Sequence, residues 1–216
     1  MKKQYQYLLA GAAALLLAAC AAVPSDSELD KLTADIVRAS FRNEGQAKLD
    51  RLDQDDANRE CSAADVAGKP IDAQIAKSIE AANLKTIRWP ADGNFLGDWK
   101  EGEKIAQNGR GMTWSDEVGS ESGGNCYNCH QISKQEISYG TIGPSLYNYG
   151  KVRGVTDPAS PASKAIVEYT WGRLYNAKAY NACSTMPRFG HTGLLDETQL
   201  KNLMALLLDP KSPVNQ

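Results

Sequence analysis

Apolar side chains recur at helical spacing in several segments, whereas the alternation typical of strands is scarce. The C-terminal example covers residues 200–208, where leucines form an amphipathic face and Met204 is predicted to belong to the core. Asp196 and Gln199 have the spacing of a capping box before this helix, and Pro210 requires that the helix end earlier. We therefore expect an all-α chain.

Two further helices are predicted in the C-terminal half. Residues 99–108 have a helical pattern that stops at Gly109. The second helix begins with Ser160 as N-cap and Pro161 at the first helical position. Its core-facing side is formed by residues at helical spacing, which are Ile166, Val167, Thr170 and Leu174.

The preceding segment has helical patterns but little chemistry. Ser25 and Glu28 form a capping box before a one-sided apolar stripe of Leu29, Leu32, Ile36 and Val37. We expect the charged residues 48–56 to continue as helix, and another helix over residues 72–83. Two roles stay open for this segment: an arm that docks a partner, or a helical cap over the C-terminal half.

The first residues are typical of an export signal. A basic start, Met1-Lys2-Lys3, precedes the apolar residues 7–19, which are too few to span a bilayer as a helix. Leu17-Ala18-Ala19-Cys20 resembles a bacterial lipobox, so Cys20 is the predicted lipidated first residue of a membrane-tethered protein. Ordinary signal cleavage beside Cys20 is the alternative.

Cys126-Tyr127-Asn128-Cys129-His130 is the attachment signature of a c-type haem. Each cysteine forms a thioether to the porphyrin, and the histidine becomes an axial ligand of the iron. A structural zinc needs four N/S ligands, and this chain of five cysteines and two histidines has no second CxxC. A thioredoxin-like redox pair needs a strand before the motif, and the flanking sequence is Gly-rich instead. We therefore expect one covalent haem c, attached outside the cytoplasm.

The second axial ligand has four candidates. Met186 precedes Pro187, which keeps it out of the α region and favours an extended loop across the haem face. His191 is the runner-up, while Met112 lies in a Gly-rich turn close to the motif and Met204 in a core helix. We predict His130 and Met186 as the iron ligands, a combination that raises the reduction potential.

Two cysteines remain, Cys61 and Cys183. In an oxidising compartment an even leftover pair favours a disulfide, here one that closes a long loop. The alternative is that Cys183 is a reactive thiol near the haem.

The order of these motifs resembles a class I cytochrome c and, within that class, SoxX, the monohaem subunit of the SoxAX cytochrome of sulfur-oxidising bacteria. The resemblance covers residues 98–215 and rests on three runs and a Pro-rich tail. The runs are Gly124-Asn125-Cys126-x-x-Cys129-His130-Gln131, Gly143-Pro144-Ser145-Leu146 and Met186-Pro187-x-Phe189-Gly190-His191-x-Gly193. This chain departs in its longer N-terminal segment and in having Asn181-Ala182-Cys183 where the family often has Asn-Pro-His.

Together, the residue patterns and the resemblance predict three parts: a signal peptide over 1–20, a helical extension over 21–95, and a cytochrome c domain over 96–216. The resemblance also implies that the Pro144 carbonyl accepts the proton of the His130 ring. This hydrogen bond orients the ring and strengthens it as a ligand.

The function implied is that of the electron-transfer subunit of a periplasmic L-cysteine S-thiosulfotransferase. A SoxA-type partner would provide the catalytic residue, SoxYZ the acceptor cysteine for thiosulfate, and a small soluble cytochrome c the next electron acceptor. No catalytic residue is then expected in this chain. Two alternatives stay open: a stand-alone tethered cytochrome, and an enzyme with an open iron position or a reactive Cys183. With a net charge of −2 and no basic stripe, nucleic acid is not an expected partner.

Overall fold

The computed structural model describes residues 24–216, so the predicted signal segment and Cys20 lie outside the described residues. The chain divides into two units, Met1–Asn43 and Glu44–Gln216. No strand occurs among the described residues, where a single β-bridge is isolated. The prediction of an all-α chain is therefore confirmed for this range. In the same range no helix combines the length and apolar character needed to cross a membrane.

The described part of the first unit contains helix α1, Asp26–Ser40. It begins with the predicted capping box, in which the Glu28 carboxylate accepts a hydrogen bond from the Ser25 backbone at 2.8 Å. None of the residues of α1 is buried, and three residues of its apolar stripe remain about half exposed, with Leu29 at 43%, Leu32 at 53% and Ile36 at 55%.

The second unit contains five α-helices among its described residues. They are α2 (Asp56–Val66), α3 (Ala73–Leu84), α4 (Trp99–Gln107), α5 (Lys164–Tyr175) and α6 (Glu197–Leu208). Short 3-10 turns lie before, between and after them, at Leu49–Leu52, Cys126–Asn128, Lys151–Arg153, Pro161–Ser163, Ala177–Ala179 and Pro213–Asn215.

Helix α6 has the predicted capping box, with Asp196 and Gln199 bonded to each other's backbone N–H. The prediction of continuous helix over residues 48–56 is wrong. Only one 3-10 turn forms there, and the Asp55 carboxylate then accepts a hydrogen bond from the Asn58 backbone N–H at 2.8 Å. Because this acidic side chain caps a helix start, α2 begins anew at Asp56.

Helices α4 and α6 cross at very close range because Gly102 of α4 is buried against the backbone of α6. Met204 and Leu206 of α6 are almost fully buried, as is Trp171 of α5, so these helices share one core. The core position predicted for Met204 is confirmed. The Trp171 indole donates to the Arg88 carbonyl at 2.9 Å and ties the segment before α4 to this core.

Residues from the predicted extension also pack within the second unit. The Asn176 side-chain amide, fully buried after α5, donates to Asn83 and Thr86 at 2.9 and 3.0 Å. The predicted disulfide is present and joins Cys61 of α2 to Cys183, so the reactive-thiol alternative for Cys183 does not hold in this structure. A helical cap over the C-terminal half would make contacts of this kind. The domain boundary near residue 95 stays a prediction.

Candidate cofactor site

The end of helix α4 positions the CxxCH segment. The backbone N–H groups of Gly124 and Asn125 donate to the carbonyls of Ile105 and Asn108 at 2.8 and 3.0 Å. Asn125 has a left-handed backbone, with φ near 50°, and turns the chain into the 3-10 turn at Cys126–Asn128. This tight turn brings both cysteines and the following histidine to one side of the chain.

Cys126 and Cys129 are not bonded to each other. Burial, with a smaller effect of the neighbouring Cys129, raises the pKa of the Cys126 thiol to about 12. The attacking thiols of CxxC oxidoreductases have a lowered pKa instead. The environment of Cys126 is therefore unlike that of a thioredoxin-type redox centre.

The ring of His130 is held in one orientation. Its Nδ1 lies 2.7 Å from the Pro144 carbonyl oxygen, which can only accept a hydrogen bond, so Nδ1 carries the proton. Nε2 is then the nitrogen available to a metal. Gly143 allows this approach because a Cβ there would lie 2.1 Å from the His130 ring. The hydrogen bond that the resemblance implies between Pro144 and His130 is thus present.

A cavity of about 370 Å³ opens beside this ring. Its wall includes Cys126, Cys129 and His130 and, from the loop before α6, Met186. The volume falls within the range of about 300–1,000 Å³ typical of small-molecule and cofactor sites. The structure therefore brings together four of the residues singled out by sequence, although Met186 is 56 residues from His130.

The alternative axial candidates lie outside the lining of this cavity. The His191 ring is 3.1 Å from the Thr86 hydroxyl, and Met204 is fully buried in the core. Met112 lies in a turn, and its backbone carbonyl accepts a hydrogen bond from the Arg51 side chain. Met186 is the methionine that contributes to the cavity wall.

Two arginines, which the sequence did not single out, give the cavity a positive character. Arg153 lies over the ring of Tyr149 at 3.7 Å, and Arg173 lies near the ring of Tyr169 at 5.9 Å. Both line the cavity, and no Asp or Glu does. Neither is paired with a carboxylate within the described residues, so the cavity suits a ligand with acidic groups. The sequence signal that could have identified these two arginines is a tyrosine four residues before each of them.

A protein-only metal cage is not assembled here. Across residues 24–216 no group of three or more His, Cys, Asp or Glu side chains is arranged to hold a metal ion. A structural zinc requires four such ligands. A haem brings four ring nitrogens with its iron, so the protein needs to provide only the axial ligands.

The described chain is thus an all-α protein with a disulfide and a cofactor-sized cavity behind a CxxCH turn. No family model matches the chain. An uncharacterized lipoprotein of Aquifex aeolicus (strain VF5) is 38% identical over 167 residues, which cover 76% of this chain and 73% of the relative. The chain belongs to the family of that lipoprotein.

Proposed function

We propose that this protein is a monohaem c-type cytochrome of the class I fold, related to SoxX, that works in electron transfer. The observation that carries the proposal is the composition of one cavity wall. Two unpaired cysteines, a histidine oriented by the Pro144 carbonyl, and Met186 face a single cavity. This set matches the covalent and axial attachments of a haem c.

The residues present fit the group in three respects. Cys126 and Cys129 would form the two thioethers, and His130 and Met186 would be the axial ligands. Arg153 and Arg173 would neutralise the two carboxylates of the porphyrin, which no acidic residue of the wall opposes. Haem c, when bound, supplies one-electron chemistry.

The role of this chain's own residues is to bind, orient and shield. The Pro144 hydrogen bond holds His130 in the tautomer that leaves Nε2 for the iron. His130 and Met186 would together hold the iron, which would leave no position for a substrate and favours an electron relay over a catalytic centre. We therefore propose that the chain is the electron-transfer subunit of a SoxAX-type L-cysteine S-thiosulfotransferase. The catalytic residue would lie on a SoxA-type partner, with SoxYZ as carrier and a soluble cytochrome c as acceptor.

Family membership with a lipoprotein supports a lipid tether through Cys20. We propose that the tether holds the protein at a membrane facing the periplasm. Mass spectrometry of the mature N-terminus is expected to show a diacylated Cys20. A mature chain that begins with an unmodified residue after Cys20 would contradict this.

The proposal is tested by producing the full chain in a host that matures c-type cytochromes. We expect a pyridine haemochrome spectrum of haem c that persists under denaturing conditions and is lost in the variant C126A/C129A. Met186→Ala should abolish the near-infrared band of a sulfur–iron bond, while Met112→Ala, outside the cavity, should retain it. A wild-type chain without covalent haem would refute the proposal.

A stand-alone tethered cytochrome is the alternative. Co-purification of the haem-bearing chain with a SoxA-type protein would support the subunit role. A strictly monomeric haem protein from the native cells would favour the stand-alone carrier instead.

A further inference from the structure

The loop with Met186 is held from outside by residues far earlier in the chain. Three residues before Met186, Cys183 is bonded to Cys61 of α2. Next to it, the Ala182 backbone N–H donates to the Glu80 carboxylate of α3 at 3.2 Å. Ala182 is itself buried in a small cluster with Ala57 and Ile79, so α2 and α3 fix the start of the loop.

The other side of the loop has a second attachment. Arg188, two residues after Met186, forms an ion pair with Asp55 at 2.7 Å, and its side chain is only 19% exposed. Burial raises the pKa of Asp55, but the Asn58 and Arg188 hydrogen bonds and the nearby positive charges outweigh this and lower it. Asp55 is therefore ionised at neutral pH, and it fixes Arg188 relative to the start of α2.

The loop has few hydrogen bonds of its own near Met186. The Met186 N–H donates to the Ser184 hydroxyl at 3.3 Å, and Pro187 has no N–H to donate. No helix lies between the turn at Ala177–Ala179 and α6. The position of the thioether therefore depends on attachments on either side of Met186. Several of these lead to residues 55–80, while Phe189, three residues after Met186, is also buried in the main core.

We propose that Asp55 and Cys61 are positioning residues for Met186, so that α2 acts as a clamp that keeps the methionine loop against the cavity. This inference rests on the proposed function, since it concerns an iron ligand. Residues 55–80 of the predicted extension are then part of the cofactor site rather than an independent docking arm. Without the clamp the loop would sample positions in which Met186 leaves the cavity wall.

The test compares the full-length haem-bearing protein with two clamp variants, C61S/C183S and Asp55→Asn. C61S/C183S removes the covalent attachment. Asp55→Asn removes the ion pair while keeping a good N-cap, because Asn caps helices as well as Asp does. The matched control is Asp92→Asn, which breaks the 3.0 Å ion pair of Asp92 with Lys201, remote from the loop. Far-UV circular dichroism and haem content verify that each variant is folded and loaded.

The readouts are the near-infrared sulfur–iron band and the affinity for added imidazole, which must displace Met186. We expect both clamp variants to lose band intensity. If the fraction of detached Met186 rises tenfold, the apparent dissociation constant for imidazole falls about tenfold. Asp92→Asn should match the wild type in both measurements, and Asp55→Glu should restore most of the band in comparison with Asp55→Asn.

The outcomes separate the two proposals. If the wild type contains haem and both clamp variants keep its band and its imidazole affinity, the clamp is refuted while the cytochrome proposal stands. If the wild type contains no haem, the proposed function fails first and the clamp fails with it. If C61S/C183S does not fold, Asp55→Asn alone decides, because its disulfide is intact.

Discussion

Gly102 offers the sharpest test of how the two helices that frame the site are packed. It lies inside α4, and an added Cβ would be 2.1 Å from the carbonyl oxygen of Asn202 in α6 and 3.0 Å from the Leu206 Cβ. We predict that Gly102→Ala destabilises the protein, although alanine is the better helix former.

Two opposing effects decide whether Gly102→Ala lowers or raises the stability of the protein. Replacing a helix-interior glycine by alanine gains about 1 kcal/mol of helix propensity. Against this, the Asn202 oxygen belongs to a helical backbone and cannot rotate away, so α4 and α6 must separate by about 1 Å to relieve the contact. A gap of 0.5–1 Å forfeits about a quarter to a half of each dispersion contact. Overpacking of a filled core costs about 1–3 kcal/mol. Because the contact is with a rigid backbone atom, we expect a cost in the upper part of this range, about 2–3 kcal/mol. After the gain in helix propensity, the net loss is about 1–2 kcal/mol.

Urea unfolding followed by far-UV circular dichroism measures this loss. The matched control is Gly172→Ala in α5, where the added Cβ would meet the end of the Tyr180 side chain, at 2.2 Å from its hydroxyl. A partly exposed side chain can move aside, so this variant should lose less stability than Gly102→Ala. A Gly102→Ala protein as stable as the wild type, or more stable, would refute the account of the α4–α6 crossing.

Two further predictions concern charge. Arg153→Gln and Arg173→Gln should each lower the haem reduction potential in a redox titration, because a nearby positive charge disfavours the oxidised iron. The control is Arg88→Gln, outside the cavity wall, and an unchanged potential in both cavity variants would contradict the assignment. Burial, and then the charge of Arg188, lower the pKa of His191 below 6.5. As the pH falls, His191 therefore takes up a proton in the unfolded chain before it does so in the folded protein. The free energy of unfolding should then decrease as the pH drops below about 6.5. His191→Gln should show a weaker fall in urea midpoint between pH 7 and pH 5, and an identical fall would contradict the shift.

Helix positions were predictable because their signals are local. The capping boxes at Ser25 and Asp196 were correct, since each depends on two residues three positions apart. The error over residues 48–56 arose because charged residues at helical spacing do not show which acidic side chain will cap a new helix. Here Asp55 does so, and its ion pair with Arg188, 133 residues later, is absent from any local pattern.

The same distinction between local signals and long-range contacts applies to the candidate site. The sequence by itself determined which residues are candidates, namely the CxxCH segment, Met186 next to Pro187, and Cys61 with Cys183 as a leftover pair, because residue type and immediate neighbours limit the chemistry of each. Only the tertiary structure decided that His130 and Met186 line one cavity, that Arg153 and Arg173 line it too, and that Cys61 and Asp55 are bonded to residues on either side of Met186. These relations depend on which distant segments pack together, and packing is a property of the whole core rather than of any one segment.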